Sequence, residues 1–165
     1  MSFADALTPE WAIFFSAELA ALATLTGLVV VAISINLPRI LSYAHLPTRA
    51  GEALIGPVGA IIVTSLVLIP EQAPMLLGAE VILIGLAMVV APIVFQARAW
   101  SARKDSLERY MRAVSTAGFS LPFAIGGALA FEGARAGLCW IAAGDILGII
   151  AVVLSAWVLM VEILR

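Results

Sequence analysis

The chain has 165 residues, of which 63% are hydrophobic and 12% charged, with a mean hydropathy of +1.12 and a formal net charge of −2. This composition lies far outside the soluble globular range and leaves no stretch for a separate water-soluble domain, so any chemistry must sit within apolar helices or at their rims. A single cysteine, Cys139, excludes an intrachain disulfide and a cysteine-built metal centre; it reads as a small packing residue. Five apolar stretches, residues 11–36, 50–69, 75–97, 113–131 and 138–164, are each near the length a helix needs to cross a bilayer, about 20 residues. The expected fold is therefore all-α, an integral membrane bundle of five transmembrane helices forming one domain.

Thr8, Pro9 and Glu10 supply a cap, a first-turn proline and a negative charge for the start of the first helix. Its apolar run is about twice the length of a signal-peptide core, so an uncleaved anchor is expected. At 100° per residue Ser16, Ala20, Ala23, Gly27 and Ser34 fall on one stripe, a seam of small residues suited to close helix packing. Residues 37–45 mix apolar and cationic side chains and are expected to lie along the inner interface, with His45 in water.

The second span places Gly56 with Gly59 and Ala60 on a small-residue face, and the fifth carries a GxxxG at Gly144 and Gly148. Ahead of the fourth span, Asp105 and Glu108 read as a capping box and Glu108 with Arg112 as an i,i+4 pair, which starts that helix before its apolar part. Pro57, Pro92 and Pro122 lie inside spans, where each frees a carbonyl and bends its helix. Pro57 to Glu80 and Pro122 to Asp145 are both 23 residues apart, so the two hairpins can be overlaid at an offset of 65 as a parallel repeat.

Orientation follows from Lys and Arg. Arg39 and Arg49 fall in the first connection, Arg98, Arg103, Lys104, Arg109 and Arg112 in the third and Arg165 at the end, against Arg135 alone on the other side. The N-terminus is expected outside and the C-terminus in the cytoplasm.

The acids are the sharper signal. Glu18, Glu80 and Asp145 each fall roughly 8 to 11 Å below an outer boundary at 1.5 Å per residue, whereas the inner halves of the spans hold no comparable set. A carboxylate at such depth costs up to roughly 3 kcal/mol at the bilayer centre and normally faces protein or water. With Glu71 and Glu132 as an outer mouth, the outer half carries about −6 and the inner half about +4. Such a funnel concentrates cations or protons. Two other readings stay open: Glu18 and Asp145 protonated and bonded to hydroxyls or backbone, and Glu80 complementing its helix N-terminus.

The run from Ala23 through Thr24, Thr26, Gly27, Ala32, Ser34 and Asn36 to Leu37, followed by Arg39, resembles the first helix of small bacterial polytopic membrane proteins. Some of these are labelled automatically as modulators of a membrane AAA protease. The resemblance implies a bacterial inner-membrane address and a regulatory role, and brings no active residues.

Two functions follow as expectations. One is a small homo-oligomeric ion channel or transport pathway for cations or protons, lined by Glu18, Glu80 and Asp145. The other is an accessory subunit that regulates a larger membrane protein. No HExxH and no serine with an obvious base point to an enzyme, and no cofactor, metal or nucleic acid is expected.

Overall fold

A computed structural model describes residues 8–43, 46–98 and 106–164. It is all-helical over these residues: α1 (Pro9–Ile35), α2 (Leu37–Leu41), α3 (Leu46–Val67), α4 (Pro74–Arg98), α5 (Ser106–Phe131) and α6 (Ala136–Leu164). Helices α1, α3, α4 and α6 are each long and apolar enough to cross a membrane, which makes this a multi-pass membrane protein. Helix α5 is different. It runs for 26 residues, but its described apolar part, Gly118–Phe131, is shorter, so among the described residues four helices are long enough to span and one apolar helix is shorter.

Helices α3, α4, α5 and α6 form a ring in which each touches its two neighbours, while α3 and α5 barely meet across the middle. Helix α1 lies outside the ring, against α3 and α6. The core runs through all five long helices and includes Phe15, Leu22, Val63, Val81, Phe123 and Ile141. Large apolar side chains also cover the outside, among them Ile13, Leu83, Leu86, Leu154 and Trp157, as a lipid-facing surface requires.

Local sequence explains most of the boundaries. Pro9 occupies the first turn of α1, where its missing N–H is no loss. Thr8 is the N-cap residue, but its side chain makes no capping bond to the backbone; its hydroxyl pairs with the Glu10 carboxylate instead. Helix α3 begins at Leu46, ahead of the apolar stretch that starts at residue 50, because Pro47 is tolerated in a first turn. Ile40 of α2 packs with Leu46 and Ala50, so the short helix turns the chain from α1 into α3. At the end of α5, Gly133 adopts φ +75° and its N–H bonds the Ala130 carbonyl at 2.9 Å, while Ala134 N–H reaches Leu129 at 2.8 Å. That Schellman pattern closes the helix and lets α6 start at once. Pro57, Pro92 and Pro122 are all buried inside their helices. Asp105 and His45, and the side chains of Glu108 and Arg112, lie outside the described residues.

Within the chain the small-residue stripe of α1 is not used for packing. Ser16, Ala20, Ala23, Gly27 and Ser34 are exposed, and nothing stands within 4 Å of a Cβ placed on Gly27. The helix instead buries Phe15, Leu22, Thr26 and Val29, because long side chains fill the groove between α3 and α6. The other small residues do pack inward: Gly56 faces the Phe119 ring, Gly144 faces the Phe123 ring, and Gly148 faces Leu22, Phe119 and Ala60.

Candidate functional site: a buried carboxyl pair

Contacts between helices fix the level of each acid. Leu22, Ala60 and Phe119 surround Gly148, which puts these four residues of α1, α3, α5 and α6 at one height. One helical turn toward the α3–α4 connection lie Glu18, Thr64 and Asp145. Helix α1 is thus parallel to α6 and antiparallel to α3, and its N-terminus shares an end of the bundle with both short connections.

Asp145 is completely buried. Thr64 Oγ1 stands within hydrogen-bond distance of two oxygens, 2.9 Å from Asp145 Oδ1 and 2.8 Å from the carbonyl of Ala60, one turn back on its own helix. Asp145 Oδ2 is sealed from solvent and has no hydrogen-bond partner. Glu18 is half-buried, close enough for its charge to repel that of Asp145, and its Oε2 is also sealed and unpartnered. Two carboxyl groups thus lie at one level where α1 packs on the ring, near enough for their charges to interact, each with one oxygen unsatisfied, a costly arrangement for charged groups.

Glu80 stands apart. Gln72, in the α3–α4 connection, donates from Nε2 to Glu80 Oε2. Gly85 and Gly144 both face Phe123, so Asp145 lies near the level of Gly85, and Glu80 is five residues, about 7.5 Å, nearer the connection. It also sits on α4, which packs on α3 and α5 rather than on α1. The expected single layer of three acids is therefore a pair plus one acid higher up, since equal distance from the span ends does not give equal height when the helices are staggered. Glu71, with φ 56°, and Glu132 are exposed in or beside the two short connections, at the same end as Glu10.

Deeper in the bundle the apolar side chains of Leu22, Ala60 and Phe119 pack around Gly148 at the level below the pair. Beyond it polar groups resume. Thr26 is buried with an unpartnered hydroxyl, and Glu52 on α3 is half-buried. Sequence reasoning missed Thr64, Thr26 and Glu52. The first two occupy the helical stripe otherwise filled by buried apolar residues, and that period-3.6 pattern was the available signal. Glu52 lies inside a stretch read as apolar and is the inner acid that the outer-layer argument overlooked.

Among the described residues no three His, Cys, Asp or Glu side chains converge as a metal site. No protein-family model matches the chain, and no curated protein or solved structure does.

Proposed function

We propose that the protein is a small bacterial inner-membrane protein that carries protons or cations, with its N-terminus outside and its C-terminus in the cytoplasm. The observation that carries this reading is the pair itself: Asp145, fully buried with an unsatisfied oxygen, beside half-exposed Glu18. Ionisable side chains inside membrane helices are costly and are functional candidates by default, ion and proton routes among them. Glu10, Glu71 and Glu132 would gather cations at the outer mouth, with Glu80, held by Gln72, to one side on α4. The apolar side chains of Leu22, Ala60 and Phe119 lie between these groups and Thr26 and Glu52, an arrangement suited to a gate.

Assembly into a homo-oligomer belongs to the same proposal. The exposed stripe of Ser16, Ala20, Ala23 and Gly27 lies roughly a third of a turn round α1 from its buried face, on the flank away from Glu18. Each subunit would then hold its own pair, with the stripe at the subunit seam.

That exposed stripe also favours the second reading, an accessory subunit that regulates a larger membrane protein such as a protease or transporter. Flux into liposomes of purified protein, compared across H⁺, Na⁺, K⁺ and Cl⁻, separates the two. Selective H⁺ or cation flux supports the pathway, and none supports the accessory role. Orientation has its own test. A cysteine placed at Ser2 should react with an impermeant reagent from outside while one at Ser106 is spared, and the reverse would overturn the topology.

A further inference from the structure

We infer that Asp145, Thr64 and Glu18 form a site for a single proton that does not accept alkali cations, an assignment that rests on the pathway reading and narrows it. The hydroxyl of Thr64 carries one proton but has two acceptors in reach, the Ala60 carbonyl at 2.8 Å and Asp145 Oδ1 at 2.9 Å. A threonine hydroxyl in a helix can bond the carbonyl one turn back, as Thr24 does to Ala20 at 2.7 Å. Once the Thr64 proton is committed to Ala60, the contact with Asp145 is a good hydrogen bond only if a second proton lies on the carboxyl. The chain then reads Asp145 O–H to Thr64 Oγ1, and Thr64 O–H to the Ala60 carbonyl, with both heavy-atom distances satisfied.

The orphaned oxygens also favour a pair that is not fully charged. Asp145 Oδ2 and Glu18 Oε2 are both acceptors without a donor, and two charged carboxylates in this setting repel. One proton held by the pair leaves a single negative charge for it to share. Transfer is balanced within the pair: the O–H bond on Asp145 breaks as one forms on Glu18, and Glu18, half-exposed, exchanges with the outside.

The surroundings argue against a metal cation. A hard cation takes a shell of several oxygens. Here the oxygens shown in contact are those of Asp145, Thr64 and the Ala60 carbonyl, with Glu18 nearby, and Leu22, Ala60 and Phe119 pack around Gly148 at the level below. Among the described side chains, the charged group facing Asp145 from α1 is Glu18. From α3, Glu52 and Arg49 lie three or more turns away, and Gly118–Phe131 of α5 carries no titratable residue.

Dicyclohexylcarbodiimide, an apolar reagent that adds to protonated carboxyls, tests the assignment on protein in liposomes, with the modified residue located by mass spectrometry. Asp145 should be labelled, the labelling should be lost in Asp145→Asn, and Na⁺, K⁺ or Li⁺ should leave its rate unchanged. Protection by any of these cations would overturn the proton assignment while leaving a cation pathway standing. Labelling of Asp145 indifferent to cations, in liposomes that show no proton flux, would uphold the site and sink the pathway. Infrared spectra of the unsubstituted protein give a reading independent of any variant: a protonated carboxyl band supports the assignment, and its absence overturns it.

Discussion

The ring and α1 are held by different means. In the ring, backbones nearly touch: Gly78 of α4 faces the backbone of Gly127 and Phe131 on α5, and Gly126 of α5 faces the Gly137 carbonyl on α6, 3.0 Å from where a Cβ would sit. Adjacent glycines in α5 thereby admit one neighbouring helix on each side. Helix α1 has no such approach and rests on long side chains; 17% of its apolar window is buried, against 44% for α6. Lipid tails are as apolar as the side chains, so helix association there depends on close packing rather than on exclusion from water. The ring is accordingly the closely packed part and α1 the more exposed one. The carboxyl pair straddles that boundary, with Asp145 and Thr64 on the ring and Glu18 on α1.

The largest effect should come from breaking the ring. Gly126→Leu forces a side chain into the Gly137 backbone and should cost about 3 kcal/mol or more, seen as loss of the folded peak in detergent or a large drop in unfolding temperature. Gly27→Leu, on the open face of α1, should shift unfolding of the single chain by no more than about 0.5 kcal/mol. The same substitution should still disperse an oligomer built on the stripe, which crosslinking in liposomes would show. Equal damage from the two would erase the distinction between ring and α1.

Between these extremes lies Thr64→Val, which keeps the shape and removes the hydroxyl. Membrane hydrogen bonds between side chains are worth little, so about 1 kcal/mol is expected from equilibrium unfolding in detergent. Removing Gln72, by Gln72→Ala, should matter less, about 0.5 kcal/mol in the same assay, since it frees Glu80 at the edge of the bundle.

Hydropathy made α1, α3, α4 and α6 legible because a span leaves a long run without charge. Helix α5 was harder to bound, since its cationic first turns blur the point where the apolar part begins. The heights of the acids were not readable for a different reason. Depth along a helix follows from counting residues, but stagger between helices depends on where glycines let backbones meet. Gly126 and Gly127 set that stagger and were passed over, while the eye-catching stripe on α1 turned outward. Asp145 was legible as a charge out of place; its partner Thr64 was not, since a hydroxyl in a membrane helix usually bonds its own backbone, as Ser16 and Ser65 do.

The division of the three acids gives the most direct test. Proton flux should be measured in liposomes for the unsubstituted protein, for Glu18→Gln with Asp145→Asn, and for Glu80→Gln. The pair substitution should abolish flux while the protein still assembles, and Glu80→Gln should retain most of it. Flux that survives loss of the pair, or that disappears with Glu80 alone, would contradict the account.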